Sequence, residues 1–208
     1  MLEATHHRSL PPVLGIAGFS GAGKTTLLEK LLPLLREAGE HCAVIKHAHH
    51  DVDVDTPGKD SYRLRKAGAI PMLLASAQRY AVMVETPESG EPCLNELIGQ
   101  LLPHAPSLIL VEGFKHADIS RLEVFRAALH KPLLALHDNR IIAIAAPTAE
   151  EVAEQALLTA ADAQEEKQCG INSAISRCFG ERTLLPLDQP ARIAQWVLNW
   201  ASPQRELP

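Results

Sequence analysis

A glycine-rich segment near the start of the sequence contains the residue types needed to bind phosphate groups. Residues 18–25 read GFSGAGKT and match the pattern G-x-x-x-x-G-K-[ST] in full. Glycines permit tight backbone turns, so successive N–H groups can converge on phosphate oxygens at the start of a helix. Lys24 would reach the β- and γ-phosphates, Thr25 would offer a hydroxyl to Mg²⁺, and Thr26 would bind an α-phosphate oxygen. The predicted phosphate-binding residues are Gly18, Ser20, Gly21, Ala22, Gly23, Lys24, Thr25 and Thr26.

An acidic residue at the end of a later apolar run fits the second requirement of such a site. A nucleotide bound with Mg²⁺ needs a carboxylate near the metal or its water shell, usually at the end of a neighbouring strand. Leu108–Val111 is a compact apolar run that is followed by Glu112 and Gly113. We therefore predict that Thr25 and Glu112 serve the metal and that Glu112 is a candidate catalytic residue. The bare backbone of Gly113 can approach the γ-phosphate, and Lys115 lies on the same loop near the nucleotide.

A polar loop concentrates histidines and carboxylates. Residues 46–55 read KHAHHDVDVD and hold three of the ten histidines together with three aspartates. Imidazole and carboxylate groups at this spacing can bind Zn²⁺ or Ni²⁺. In a second interpretation the loop faces the γ-phosphate, where one of its aspartates orients water and Lys46 or His47 contacts phosphate. In a third, it is a solvated surface loop, and the residues alone leave the three interpretations open.

The order of apolar segments predicts an α/β fold of the P-loop NTPase class. Strands that alternate with helices form a mostly parallel sheet with helices on both faces, to which a hairpin adds an antiparallel portion. The predicted strands are Val13–Phe19, Cys42–Ile45, Met72–Ser76, Tyr80–Glu85, Leu108–Val111, Leu122–Phe125, Leu133–His137, Ile141–Ala145 and Leu184–Leu187. The predicted helices are Thr25–Ala38, Asp60–Ala67, Asn95–Leu102, Ala149–Lys167 and Pro190–Ala201.

The composition excludes several classes of protein. The 208 residues include 20 Lys and Arg against 25 Asp and Glu, and only 4% are aromatic. A nucleic-acid-binding surface needs a basic face and often stacking rings, so nucleic acid is not an expected partner. We find no secretory leader, no run of 18 apolar residues and no CxxC pair among the four cysteines, and we expect a cytoplasmic protein without a membrane span. The length suits one domain over residues 1–208.

Taken together, three segments resemble the molybdopterin-guanine dinucleotide biosynthesis protein B family. They are residues 18–26, the long polar segment at 45–69, and residues 110–116, which read LVEGFKH. The resemblance covers about residues 13–146 and returns more weakly over a closing strand and helix at about 184–201. A helical insertion at about 149–180 and the loop at 126–131 depart from the family pattern.

This resemblance implies a GTP-binding adapter with weak GTPase activity, usually a homodimer. Such a protein assists the molybdenum cofactor guanylyltransferase, the partner enzyme that transfers GMP from GTP to molybdopterin. GTP and Mg²⁺ are the implied cofactors, and molybdopterin is a further candidate ligand. By position, the resemblance makes Lys46, His47 and Lys59 candidates for nucleotide binding and Asp53 a candidate catalytic residue beside Glu112.

Two other functions remain open at this point. A metallochaperone GTPase would hold a transition metal at His47–Asp55, and a small-molecule kinase would bind its acceptor through Arg63, Arg65 and Lys66. The guanine-binding pattern Asn-Lys-x-Asp is absent, and His137–Arg140 does not match it, so the sequence does not determine the base. We find no arginine finger or water-positioning glutamine, and we therefore expect slow hydrolysis.

Overall fold

The computed structural model describes residues 10–48, 53–86, 90–162, 180 and 182–205. The chain packs into two units, which we call the sheet unit (Met1–His47 with Leu94–Pro208) and the hairpin unit (Ala48–Cys93). The prediction of one domain over residues 1–208 stays a prediction. Within the described ranges, no helix has the length and apolar character that crossing a membrane requires.

A parallel sheet forms the centre of the sheet unit. The strands of the described residues are β1 (Val13–Ala17), β2 (Cys42–Lys46), β3 (Met72–Ala75), β4 (Tyr80–Met83), β5 (Leu108–Glu112), β6 (Arg121–Val124), β7 (Ile141–Ala146) and β8 (Thr183–Pro186). Six of them run parallel in the order β2-β5-β1-β6-β7-β8. The first four residues of β5 are fully buried, which explains why that run is apolar throughout.

Helices cover both faces of the parallel sheet. In chain order the helices of the described residues are α1 (Lys24–Glu37), α2 (Asp60–Lys66), α3 (Leu94–Leu101), α4 (Ala149–Asp162) and α5 (Pro190–Ala201). Leu108 and Leu110 of β5 pack in one core with α1 and α5, whereas Ile109 and Val111 pack with α3 on the opposite face. Val152 of α4 packs on β7. The predicted fold class, with its mostly parallel sheet, antiparallel hairpin and surrounding helices, is confirmed.

The apolar spacing of α1 explains why a helix forms directly after the glycine-rich segment. Leu27, Leu28, Leu31 and Leu35 recur at three- and four-residue intervals, and all four are buried. Gly39 follows with a φ of 91°, a left-handed conformation that commonly ends a helix. Packing of this leucine face on the sheet therefore holds the first turn of α1 at the end of β1.

The hairpin unit contains α2 and the predicted hairpin. The hairpin forms a two-stranded sheet of its own, so the prediction that it adds an antiparallel portion to the parallel sheet is wrong. β3 pairs antiparallel with β4, in the register Leu73 opposite Val82. At least half of the surface of Leu73, Leu74, Tyr80, Val82 and Val84 is exposed. A two-stranded sheet is at best marginally stable by itself, and this one has an exposed apolar surface.

One predicted strand is wrong. Leu133–His137 contains a short 3₁₀ turn, Leu134–Leu136, and no strand. The buried Glu123 carboxylate on β6 accepts hydrogen bonds from the N–H groups of Leu134 and Ala135, at 2.9 and 2.8 Å. Because the Glu123 carboxylate accepts these backbone hydrogen bonds, the segment needs no neighbouring strand to satisfy its N–H groups. Its apolar residues therefore pack into the core from a turn. The first part of the predicted helical insertion at 149–180 forms α4 (Ala149–Asp162). Residues 163–179 of the insertion lie outside the described residues.

Candidate nucleotide-binding site

The carboxyl ends of three neighbouring strands meet at one edge of the parallel sheet. Lys46 of β2 and Ile16 of β1 both pair in register with Glu112 of β5. The glycine-rich segment at residues 18–25, which we call the phosphate loop, begins directly after β1. Parallel sheets bind ligands at this edge, because the loops that follow neighbouring strands converge there. The topology therefore brings the phosphate loop, Lys46 and Glu112 together.

Three glycines give the phosphate loop a backbone shape that other residues rarely adopt. Gly18, Gly21 and Gly23 have φ values of 133°, 84° and 97°. A Cβ atom at Gly18 would lie 2.5 Å from the carbonyl oxygen of Val124 on β6, so this position also needs glycine for space. Gly23 is the N-cap of α1, and the loop leads directly into the first helical turn, whose N–H groups have no partner within the helix.

The remaining residues of the phosphate loop differ in exposure. Ser20 and Thr26 are exposed, whereas Ala22 is buried. The hydroxyl groups of Ser20 and Thr26 are therefore accessible to a phosphate group. Ala22 has no polar side chain, so it can contribute only its backbone.

The side chain of Lys24 folds back over the phosphate loop. Its Nζ donates to the carbonyl oxygens of Gly18 and of the next residue, at 3.0 and 3.1 Å. Burial lowers the pKa of Lys24 despite the nearby Glu112 carboxylate, and the positive charges of Lys115 and Lys46 lower it further. Three lysine side chains thus concentrate positive charge at the phosphate loop, which favours an anionic ligand.

Thr25, Glu112 and Lys46 form a small polar cluster at the end of the loop. The Thr25 hydroxyl lies 3.3 and 3.5 Å from the two carboxylate oxygens of Glu112. The Lys46 Nζ lies 3.5 Å from the Thr25 hydroxyl and 3.5 Å from one carboxylate oxygen of Glu112. Hydroxyl and carboxylate oxygens are the protein ligands that Mg²⁺ takes together with phosphates and water. This donor set fits Mg²⁺, which Thr25 and Glu112 would hold directly or through water.

His47 packs tightly against the loop that follows β5. Its backbone N–H donates to the carbonyl of Glu112 at 2.8 Å, and its ring lies 4.8 Å from the ring of Phe114. A Cβ atom at Gly113 would lie only 2.7 Å from the Cβ of His47, and Gly113 has a φ of 100°. Gly113 is therefore required for both space and conformation. The hydrogen bond from His47 to Glu112 and the close approach of Gly113 hold His47 at the edge of the site.

Two arginines fix the loop at residues 113–118, which carries Lys115. The Asp138 carboxylate pairs with Arg121 at 2.5 Å and with Arg140 at 2.7 Å. Although burial opposes it, hydrogen bonds from Arg140 and Arg121 lower the pKa of Asp138. The two guanidinium groups also donate to four carbonyl oxygens of the loop, those of Phe114, Lys115, His116 and Ala117.

Sequence reasoning missed these two arginines and a third, Arg126. Arg126 lies two residues after β6, and its Nε donates to the carbonyl of Ala22 in the phosphate loop at 3.0 Å. The signal that could have found Arg121 is a charged residue at the start of a short buried strand, where a charge needs a partner. Arg126 lies in the loop after β6 and Arg140 in the turn just before β7, where an arginine is ordinary, so the sequence carries no comparable signal for them.

Two predicted site residues, Asp53 and Lys59, belong to the hairpin unit. The Asp53 carboxylate forms an ion pair with Arg65, whose Nη2 lies 2.6 and 2.7 Å from its two oxygens. Hydrogen bonding from Arg65 lowers the pKa of Asp53. Glu85 also pairs with Arg65, and Lys59 is exposed just before α2. The predicted roles of Asp53 and Lys59 at the nucleotide stay predictions.

The transition-metal interpretation of the polar loop gains no support from the described residues. His49, His50 and Asp51 lie outside the described residues. In the part of the chain that the structure describes, no group of three His, Cys, Asp or Glu side chains is arranged to hold a metal ion. The oxygen donors of Thr25 and Glu112 suit Mg²⁺ rather than a softer metal.

The fold and the site together define a P-loop nucleotide-binding protein: a parallel sheet, a phosphate loop between β1 and α1, and Thr25 opposite the Glu112 carboxylate. The family model described as molybdopterin guanine dinucleotide synthesis protein B matches residues 13–147. The chain belongs to this family, and the resemblance carried by the three sequence segments is confirmed.

Two curated relatives are named molybdopterin-guanine dinucleotide biosynthesis adapter protein. The protein of Escherichia coli strain K12 is 49% identical over 139 residues, which cover 66% of this chain and 79% of the relative. The protein of Haemophilus influenzae is 36% identical over 189 residues, which cover 91% of this chain and 89% of the relative. The crystal structure of a molybdopterin-guanine biosynthesis protein B has a TM-score of 0.60 at 24% identity, covers 90% of this chain and 99% of its own, and confirms the fold.

Proposed function

We propose that this protein is a GTP-binding adapter that assists the attachment of GMP to molybdopterin. The observation that carries the proposal is the convergence of Lys24, Thr25 and Glu112 at one edge of the sheet, in a chain of this family. That arrangement suits a nucleoside triphosphate with Mg²⁺. The names of the relatives indicate the pathway in which the nucleotide is used.

The proposed binding mode divides the nucleotide among the elements of the site. The N–H groups of the phosphate loop surround the phosphates, and Lys24 exchanges its carbonyl partners for the β- and γ-phosphates. Lys46, His47 and Lys115 border the γ-phosphate, to which Gly113 presents its N–H group. Mg²⁺, when bound, neutralises part of the phosphate charge. Thr25 and Glu112 hold it or its water shell.

We expect weak GTPase activity, with Asp53 and Glu112 orienting water. Hydrogen bonds from Arg65 lower the pKa of Asp53, so this carboxylate is a weak proton acceptor near neutral pH. The Glu112 carboxylate is already engaged by the Thr25 hydroxyl and the Lys46 ammonium group. Slow turnover follows, and it suits an adapter because the GTP-bound form persists long enough to act on a partner enzyme.

We propose further that the protein is a cytoplasmic homodimer that acts on the molybdenum cofactor guanylyltransferase. The exposed apolar side chains of β3 and β4 favour an interface, because a second copy of the hairpin can cover them. The double variant Leu73→Lys, Val82→Lys should reduce the mass in light scattering from dimer to monomer. An unchanged mass would rule out this surface as the interface. Co-purification of the guanylyltransferase with bound pterin tests the partner.

Equilibrium binding of labelled GTP and ATP tests the proposed function. We expect GTP to bind in the presence of Mg²⁺ and Lys24→Ala to abolish binding, because Lys24 supplies the ammonium group of the phosphate loop. Lys30→Ala is the matched control, since Lys30 is an exposed lysine elsewhere on α1. Preference for ATP, or binding by Lys24→Ala equal to that of the control, would overturn the proposal.

A further inference from the structure

Arg126 connects the segment after β6 to the phosphate loop. Its Nε donates to the carbonyl oxygen of Ala22 at 3.0 Å. A Cβ atom at Gly23 would lie 3.7 Å from both Nε and Nη2 of the same guanidinium group. The guanidinium group is therefore in contact with the last two residues before Lys24.

The surrounding backbone holds Arg126 in this position. Ala17 of β1 pairs in register with Glu123 of β6, so the phosphate loop and the residues after β6 leave the sheet side by side. A Cβ atom at Gly21 would lie 3.5 Å from the Leu129 side chain, so this segment packs along the loop. The Ala127 N–H donates to the Glu151 carboxylate at 3.3 Å, which anchors the short turn after Arg126 to α4.

The chemistry of the guanidinium group then points to phosphate. Arg126 is an exposed residue whose Nε donates to the Ala22 carbonyl, so its terminal amino groups are left for another acceptor. Within the described ranges, no carboxylate lies at ion-pair distance from Arg126. A guanidinium group binds phosphate oxygens through two parallel N–H donors, which a lysine cannot reproduce.

We propose that Arg126 binds the α- and β-phosphates of the nucleotide with its terminal amino groups while its Nε holds the Ala22 carbonyl. The assignment to these phosphates follows from its contact with Gly23, because the backbone of the phosphate loop surrounds the α- and β-phosphates, whereas Lys24 extends toward the γ-phosphate. The inference rests on the proposed function as a nucleotide-binding protein. Because GTP and GDP both carry these phosphates, Arg126 should increase the affinity for both nucleotides. It does not act as an arginine finger for hydrolysis.

Equilibrium binding of GTP and of GDP to Arg126→Ala tests this role. We expect both affinities to fall by a similar factor, about tenfold or more, which is the usual effect of losing a charge-assisted hydrogen bond. The hydrolysis rate of bound GTP should fall far less than the roughly 10³- to 10⁵-fold that the loss of an arginine finger causes. Added ethylguanidinium should restore part of the affinity for both nucleotides, because it places a guanidinium group in the vacated site. Arg126→Lys should bind almost as weakly as the alanine variant, and Arg36→Ala, which loses an exposed arginine at the far end of α1, should bind like the wild type.

Three results would overturn the inference. They are unchanged affinity in Arg126→Ala, a loss confined to GTP together with slower hydrolysis, and a loss that Arg126→Lys fully restores. If the alanine variant does not fold, Arg126→Gln keeps a long polar side chain without the charge, and its two affinities decide the question in the same way. Failure of the wild type to bind GTP would instead overturn the proposed function, so the two failures are distinguishable.

Discussion

The Lys46 ammonium group lies 3.5 Å from the Glu112 carboxylate, and the Thr25 hydroxyl lies 3.5 Å from the same ammonium group. Lys46 thus shares the two oxygen donors that suit Mg²⁺. The strand register explains the contact, since Lys46 pairs with Glu112 across neighbouring parallel strands. The Lys46 ammonium group and a bound Mg²⁺ would compete for the Glu112 carboxylate, because two positive charges repel each other at this distance.

Lys46→Met is therefore expected to strengthen Mg²⁺ binding in the GTP complex, while the loss of its proposed contact with the γ-phosphate weakens GTP binding itself. The variant keeps the length of the side chain and removes the charge. Because the Lys46 side chain is largely exposed, we expect a modest change, about two- to fivefold in the Mg²⁺ concentration for half-maximal binding. A Mg²⁺ titration of fluorescent GTP binding measures this, with Lys30→Met as the control. A higher Mg²⁺ requirement in Lys46→Met would contradict the prediction.

Gly113→Ala is expected to destabilise the fold because the new methyl group meets His47. The φ of 100° alone costs a side chain about 1–2 kcal/mol, and the 2.7 Å approach to the Cβ of His47 adds steric overlap. Urea unfolding measures the loss. Gly39→Ala is a matched control, since Gly39 has a φ of 91° and no atom within 4 Å of an added Cβ. The prediction fails if the two variants lose the same free energy of unfolding.

The stability of the protein should fall as the pH rises from about 5 to 8. Burial raises the pKa of Glu123 from 4.5 to about 7, although the N–H groups of Leu134 and Ala135 and the charge of Arg182 partly oppose this. The folded protein therefore holds this proton more tightly than the unfolded chain, and stability that is present at pH 4.5 is lost as the pH passes 7. The change is on the order of a few kcal/mol.

Urea unfolding of wild type and Glu123→Gln at several pH values measures this effect. The glutamine variant has no titrating group at this position, so its free energy of unfolding should vary less over the same range. Glu37→Gln, at an exposed position on α1, should keep the dependence of the wild type. If the free energy of unfolding of Glu123→Gln varies with pH as strongly as that of the wild type, groups other than Glu123 produce the change.

The parts of the site that could be predicted from the sequence are those encoded locally. The phosphate loop is one continuous pattern, and its glycines are required by backbone angles that belong to the loop itself. Glu112 was predictable because an apolar run ending in an acid already indicates the carboxyl end of a buried strand. The register of β5 with β1 and β2 then brings these local features together.

The parts that could not be predicted depend on residues distant in the chain. Leu133–His137 has the composition of a strand, but its N–H donors are taken by Glu123, ten or more residues earlier. Arg126 reaches Ala22 across 104 positions in sequence, through the packing of β6 beside β1. Side-chain hydrogen bonds of this kind leave no periodic pattern, so neither contact has a signature in the sequence.

Arg140→Ala is expected to loosen the 113–118 loop and weaken GTP binding more than it weakens the fold. Arg140 donates to the carbonyls of His116 and Ala117, at 3.3 and 2.9 Å, and holds Lys115 through the same loop. Its side chain is part-exposed, so we expect a loss of only about 1 kcal/mol in the free energy of unfolding. Hydrogen exchange at residues 113–118 should become faster, and GTP affinity should fall severalfold.

Arg121→Ala provides the contrast that separates loop positioning from overall stability. Arg121 is almost fully buried and shares the Asp138 carboxylate with Arg140. Its removal takes one donor from each of two loop carbonyls, breaks its ion pair with Asp138 and leaves a cavity where the side chain was. We expect about 3 kcal/mol or more of lost unfolding free energy, well above the loss in Arg140→Ala. Unchanged hydrogen exchange at residues 113–118 in Arg140→Ala, together with weaker GTP binding, would contradict the prediction. In that case Arg121 alone holds the loop, and Arg140 affects the nucleotide by another route.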